Sequence, residues 1–414
     1  MPAPGERFPG AGGAGVAEAP AAAVDRLRVT RVESAAGVEL RIAVQPDPAR
    51  SGLEAQARSM YAALLAGLAA QGAGPGAIVA EKVFLSDVAH QAGWLRSVRR
   101  AVLSNGTDGG PAPAENTAAD HALTLVQQPP AARHVLCEAQ VLAIVPRGSS
   151  APRSWGLPGL PEGASGSEVR LDGRRLVQIS GITGGRPGGP LDFESQARSM
   201  FETAESCLVA RGLTFRDVAR TWIYVAHIDR DYAAINRARR EFYRLRGVTP
   251  LPASTGIGGL PERTGRLCAL DLIARDGGSR EGWRPLHAPG MNEAPSYGAD
   301  FSRGAVLPLA VGTTLFVSGT ASIDAQGRVV HVNDFERQAD RMLQNVAQIL
   351  AGEGLGLRHI TSAVTYLKRP RFRDLFLEAA RRAGLPEEVP NTLCVADVCR
   401  PEWLCEVEAT VTRP

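Results

Sequence analysis

The residue most suited to chemistry is a glutamate that one stretch of the chain has and its own near-duplicate lacks. The segments VLCEAQV (135–141), RLCALDL (266–272) and WLCEVEA (403–409) correspond, with Cys137, Cys268 and Cys405 in register. Glu406 then falls opposite Ala269, so the strand itself does not demand a carboxylate there, although Glu138 in the first segment allows an ordinary strand residue paired with a cation. A carboxylic acid whose pKa is raised in a partly apolar cleft can deliver a proton at neutral pH. Cys399 stands seven residues earlier, on the strand or turn leading to Glu406; a free cysteine is ordinarily a small buried hydrophobe. Cations and hydroxyls on related segments are Arg303 in FSRG, Lys368 in TYLK, Arg239 in NRARREFY, Tyr224 and Tyr366.

Other chemistries find little support. Six cysteines form no CxxC pair and seven histidines form no HxH or HExxH pattern, so neither a metal site nor a disulfide framework is expected. Gly184, Gly185, Gly188 and Gly189 lack P-loop or GxGxxG spacing and read as a hairpin loop. Lys+Arg 46 against Asp+Glu 43 gives a formal charge of +3 with no basic run, which argues against nucleic acid. No apolar run is long enough for a membrane helix, and the Ala/Gly/Pro-rich start lacks the pattern of a signal peptide; a cytoplasmic protein is expected.

What positions these residues is a threefold repeat. EAQARSM (54–60), ESQARSM (194–200) and ERQADRM (336–342) recur at separations of 140 and 142 residues. Each is followed, twelve positions after its Met, by a glycine: Gly72, Gly212 and Gly354. β-branched and aromatic runs come next, with Phe84, Tyr224 and Tyr366 equivalent. Ala339, Met342, Val346 and Ile349 share one helical face, and a second helix over Phe372–Ala383 is predicted to stop at Gly384 before Pro386. Leu176–Ser180 and Leu315–Ser318 read as strands, and a DAQG turn at 324–327 is expected to open a returning strand.

Each unit therefore reads as α+β, in the order β-β-α-β-α-β. The boundaries are a flexible tail over 1–26 and units at 27–150, 165–277 and 290–414, with linkers at 147–166 and 276–290. A sheet with helices on one face has a bare second face. Three units packed sheet to sheet would cover it internally around a barrel-like core, with no oligomer required; a monomer or weak dimer is expected.

This unit resembles the RidA (YjgF) fold through FVSGTASID (316–324), ERQADRMLQN (336–345), PNTLCV (390–395) and CEVEA (405–409). That resemblance implies a pseudo-trimer within one chain, with ligand clefts between units. PASTGIGG (252–259), YGADFSRG (297–304) and ADVCRPEWLCEVE (396–408) are similar to the chorismatases of that superfamily. The arginine that RidA imine deaminases place two residues after a proline is Thr392 in the third unit and Ser254 in the second, which argues against an imino-acid deaminase.

The chorismatase resemblance implies a cofactor-free enzyme that turns chorismate into a hydroxybenzoate, the 3-hydroxy isomer first, plus pyruvate. Glu406 would be the acid, and Cys399 and Gly259 would match positions that separate product types. Two substrate carboxylates call for at least two cations, for which Arg303, Lys368 and Arg239 are candidates, with Tyr366, Tyr224 and Thr255 as further contacts. A single competent cleft between the second and third units is expected. The rival expectations are a divergent Rid-type hydrolase or isomerase and a non-catalytic ligand-binding module.

Overall fold

The computed structural model describes residues 26–105, 121–148, 151–155, 164–171, 173–185, 192–276, 282–288, 290–309 and 311–414. The tail before residue 26 and the glycines at 188 and 189 lie outside these residues.

The first unit runs β1 (Leu27–Ser34), β2 (Gly37–Val44), α1 (Leu53–Ala70), β3 (Ile78–Leu85), α2 (Val88–Asn105), β4 (Ala122–Gln127) and β5 (Cys137–Pro146). After β6 (Arg153–Trp155), the second runs β7 (Ser165–Leu171), β8 (Arg174–Thr183), α3 (Phe193–Val209), β9 (Val218–Val225) and α4 (Ile228–Arg246). It continues through β10 (Ala253–Gly258), the two-residue β11 (Leu260–Pro261) and β12 (Cys268–Arg275). After β13 (Arg284–Pro285), the third unit has β14 (Gly304–Pro308), β15 (Thr313–Thr320), α5 (Phe335–Ala351) and β16 (Ser362–Leu367). It closes with α6 (Arg373–Ala383), β17 (Asn391–Val395) and β18 (Cys405–Arg413).

Each unit has one strand more than the sequence pattern suggested: β4, β10 and β17 run parallel to β3, β9 and β16 after the second helix. The last strand of each unit, β5, β12 or β18, takes the middle of its sheet. Two linker segments also add strands, β6 beside β7 and β13 beside β14. The returning strand expected after residues 324–327 is only the isolated bridge Ile323↔Val329; β15 pairs with the upstream β14 instead.

The helices form because their apolar faces have a sheet to cover. Ala339, Met342, Val346 and Ile349 of α5 are all buried against the third sheet. Gly72, Gly212 and Gly354 adopt φ of 71°, 70° and 71° just past α1, α3 and α5. There a Cβ would strain the left-handed turn, so the recurring glycine ends each helix. The second helix of the third unit ends at Gly384, φ 79°, as its sequence foretold.

The repeated glutamine of the EAQARSM motif has one job in all three units. Gln56 donates to the His134 carbonyl and accepts from Leu136 N–H; Gln196 does the same with Gly265 and Leu267. Gln338 repeats it with Glu402 and Leu404. Each clamp satisfies two backbone groups just ahead of the central strand, two residues before Glu138, Ala269 or Glu406, and so fixes where that strand begins.

The bare sheet faces meet one another. Val79 and Ile144 of the first unit, Leu176 and Ile273 of the second, and Leu307 and Phe316 of the third share one apolar cluster. Beside it lies a polar cavity of about 690 Å³ lined by all three units, including Arg41, Lys82, Arg220, Asp271 and Glu408. The architecture is thus an intramolecular pseudo-trimer of three six-stranded sheets; the hydrogen-bonded ladders stay separate and do not close into one barrel. Contacts still cross the seams: β11 of the second unit pairs with β4 of the first, and Ile257 bridges Val398.

Candidate active site

Glu406 and Glu408 alternate with Cys405 and Val407 along β18, so both carboxylates leave the helix-covered face and point into the seam towards the second unit. Tyr366 pairs across the ladder with Glu406, as Tyr224 does with Ala269 and Phe84 with Glu138. The acid side of each unit is therefore built alike, and only its chemistry differs.

Glu406 is 3% exposed. No group among the described residues donates a hydrogen bond to it, and burial, then the neighbouring Glu408 charge, push its carboxyl up to about 8 against the pull of Arg220. Its room comes from Gly319, where a Cβ would stand 2.0 Å from Glu406 Oε1. Glu408 is the opposite case. Burial alone would raise it, but Lys82, Arg220 and hydrogen bonds from Thr255 and Trp222 hold it below the usual carboxylate range. Arg220 reaches it at 2.8 Å, Trp222 Nε1 at 2.8 Å, and Lys82 of the first unit at 3.7 Å.

The cleft beside Glu406 has a volume of about 550 Å³, and its walls include Tyr232, Arg239, Arg303, Cys399 and Arg400. Arg239 comes from α4 of the second unit; its guanidinium donates to Asn236 Oδ1 at 2.6 Å and lies over the Phe301 ring at 5.5 Å. Its buried Nε–H has no partner among the described residues. Arg303 is held by three contacts to Asn292, two to the carbonyl and one to Oδ1. Ser318 fastens the walls together: its Oγ accepts from Ser254 N–H at 2.9 Å and donates to the Ser302 carbonyl at 2.7 Å.

Cys399 lies on a turn, with Val398 bridged to Ile257 and the Asp397 carbonyl accepting from Gly258 N–H. Burial first, then the Glu406 charge, push its thiol up, while a hydrogen bond with Tyr232 acts the other way. A thiol so placed stays protonated and is a shaping group or hydrogen-bond partner, not a thiolate nucleophile.

Of the residues singled out from sequence, Glu406, Cys399, Arg239 and Arg303 meet in this cleft. Tyr366 is buried directly across the ladder from Glu406, its hydroxyl without a hydrogen-bond partner among the described residues. Thr255 stands behind the cleft, its Oγ1 accepting from Arg220 at 2.5 Å and from Gly319 N–H at 3.1 Å. Three others lie elsewhere. Lys368 turns away and donates to the Pro401 carbonyl. Tyr224 lines the seam between the second and first units and donates to Asp271. Gly259 abuts Val126 and Gln128 of the first unit. Gly319, Tyr232, Arg400 and the Glu408–Arg220–Lys82 network carry no motif of their own; Gly319 is marked in the sequence only by its place just after the strand read at Leu315–Ser318.

All six cysteines are free. Among the described residues no helix is long and apolar enough to cross a membrane, and no three His, Cys, Asp or Glu side chains are grouped to hold a metal ion.

The family model described as Endoribonuclease L-PSP matches residues 167–264 and 291–413, together more than half of the chain. The chain belongs to this family. The two matched stretches are the second and third units of this endoribonuclease L-PSP family member, the RidA-type fold expected from its motifs; the first unit has the same strand order outside the matched residues. A chorismatase from Streptomyces rapamycinicus is 30% identical over 225 residues, 48% of this chain and 65% of that protein. The match thus spans less than two thirds of that relative's length. A crystal structure of a chorismatase superposes with a TM-score of 0.58 at 20% identity, covering 81% of this chain and 93% of the other. At 81% of the chain, that likeness of fold reaches beyond the two stretches matched by the family model.

Proposed function

We propose that this protein is a chorismatase, releasing pyruvate from chorismate and leaving a hydroxybenzoate, with 3-hydroxybenzoate as the main ring product. The observation that carries the proposal is a buried glutamic acid, Glu406, held mostly neutral near pH 7 in a cleft whose other walls bring two arginines, Arg239 and Arg303. The similarity to the Streptomyces rapamycinicus chorismatase supports the substrate.

An enol ether breaks when its terminal methylene accepts a proton, which leaves an oxocarbenium carbon bearing the ether oxygen. Glu406 is suited to give that proton, and the carboxylate it becomes lies beside the cation it has made. Arg239, with an unused N–H, and Arg303 oppose the two carboxylates of the substrate. Attack on the oxocarbenium carbon by the neighbouring ring hydroxyl, with loss of its proton, gives a cyclic ketal. The attacking oxygen then breaks its bond to the ring and leaves as the pyruvate carbonyl oxygen, while the ring carbon bearing the other oxygen loses its proton and that oxygen is protonated, which leaves the aromatic 3-hydroxybenzoate. Attack by water gives a hemiketal that collapses to pyruvate and a dihydroxy ring acid. Cys399, protonated and beside Tyr232, occupies the position from which it can keep water away and favour the first route.

Incubation of the purified chain with chorismate, followed by pyruvate assay and chromatography of the ring acids, tests this. Pyruvate with 3-hydroxybenzoate is the expected result. Binding of chorismate without pyruvate release would identify a ligand-binding module instead, and no interaction with chorismate would return the chain to the wider group of Rid-type hydrolases.

A further inference from the structure

The three seams of the pseudo-trimer are not equally furnished. At the seam of the second and first units, Ala269 occupies the acid position and β11 is laid along β4. At the seam of the first and third units, Glu138 keeps the acid, and it faces β17 and α6 as Glu406 faces β10 and α4. The backbone joins there through Ala131 N–H to the Leu393 carbonyl and Val395 N–H to the Pro129 carbonyl.

Beside Glu138 is a cleft of about 540 Å³, close in size to the one beside Glu406. Arg26, Arg28 and Arg373 line it with Gln45 and Asn391, while Ala43, Ala132, Leu377 and Leu393 supply apolar wall. Glu138 is 1% exposed and accepts from Gln45 Nε2 at 3.0 Å. Burial pushes its carboxyl up to about 7 despite the opposing pull of Thr392, Gln45, Arg28 and Arg373.

Among the described residues the charges lining this cleft do not cancel. Arg26 lies 3.8 Å from Asp47, and Arg373 contacts Asp374 of its own helix. Arg28 has no ion pair or hydrogen bond among the described residues, and the one acid within the cleft is half neutral near pH 7. A mostly polar, part-exposed pocket with surplus guanidinium groups and one apolar wall suits a small organic anion. The cations come from Arg26 just ahead of β1, from Arg28 in β1 and from Arg373 in α6, and not from β17, where Thr392 stands in place of the arginine expected of imine deaminases.

We propose that the seam between the first and third units is a second ligand site, binding a small organic monocarboxylate whose carboxylate meets Arg28 and Arg373 and whose apolar body lies against Leu377 and Leu393. This site is separate from the Glu406 cleft and stands whether or not the chain acts on chorismate.

Crystals of the full chain soaked in 4-bromobenzoate test it directly. A bromine anomalous peak in the Glu138 cleft, with the carboxylate towards Arg28 and Arg373, is expected. In solution, Arg28→Gln/Arg373→Gln should weaken benzoate binding at one site at least tenfold while chorismate turnover is unchanged. Bromine confined to the Glu406 cleft, or calorimetric titrations with benzoate that are alike for the parent chain and R28Q/R373Q, would overturn the proposal. The soaked parent crystal needs no variant to fold, and neither readout depends on catalysis.

Discussion

Glu406 and Glu408 stand two residues apart on the same face of one strand and titrate in opposite directions. Two buried carboxyl groups so close cannot both ionise cheaply, and the environment decides which one gives way. Lys82, Arg220, Trp222 and Thr255 all serve Glu408, so it takes the charge. Glu406 has burial and a negative neighbour, and keeps its proton.

The first consequence is a pH profile. A general acid with a pKa of about 8 is competent below that pH and lost above it, so pyruvate release should decline as pH rises through about 8. Glu406→Gln removes the proton while keeping size and polarity. Turnover should fall by on the order of 10²–10⁴-fold with chorismate binding retained. Steady-state kinetics together with calorimetric binding check both; near-normal pyruvate release by E406Q would place the acid elsewhere.

Glu408→Gln should act through Glu406. Removing the negative neighbour while Arg220 remains lowers the Glu406 pKa, so the alkaline limb should move below its parent position. The variant also strands Arg220 and Lys82 as buried cations, a loss on the order of 3–5 kcal/mol in unfolding free energy. Urea melts report the second effect and the pH–rate profile the first. A weaker enzyme with an unmoved limb would reduce Glu408 to a structural part.

Cys399→Ala should leave the acid in place. Pyruvate release is expected to persist within about tenfold while the ring product shifts towards the dihydroxy acid, because the smaller side chain admits water beside Tyr232. Product chromatography at equal pyruvate yield decides it.

Gly319→Ala should behave as a local displacement. The added methyl would overlap Glu406 Oε1 and touch Thr255, so the carboxyl must swing away. A displacement of about 1 Å at a catalytic group costs on the order of 10²-fold in rate. Thermal melting near that of the parent with kcat sharply reduced is the expected pairing.

Gln338→Leu and Gln196→Leu remove the same clamp in different units. Each strands a backbone N–H and a carbonyl, at about 1–3 kcal/mol per buried group. Both should lower the unfolding midpoint, but only Gln338→Leu loosens the start of β18, two residues from Glu406, so only it should also depress turnover. Equal kinetic losses in the two would dissociate the clamp from the acid.

Much of this was legible in the sequence for a physical reason: repeated units must solve the same packing problem, so helix-ending glycines, buried methionines and register cysteines recur at fixed intervals. The alanine in the second unit made Glu406 stand out by contrast. The parallel strands β10 and β17 were harder to read, since ASTGIG and NTLCV are short and alternate poorly between apolar and polar residues. The misplaced site residues have another cause. Each unit gives its acid-bearing strand to one seam and its parallel strand to another, so Tyr224 belongs to the seam of Ala269, and position along the chain alone does not reveal which seam a residue enters.

The central placement of β5, β12 and β18 also fixes an order of assembly during synthesis. Within every unit the strand that fills the middle of the sheet leaves the ribosome last, so β1, β2 and β3 wait with an open gap, and both flanking ladders form together when it arrives. The acid position sits at the head of that final strand, two residues past the glutamine clamp. The first and third units therefore acquire their carboxylate and complete their sheet in one event.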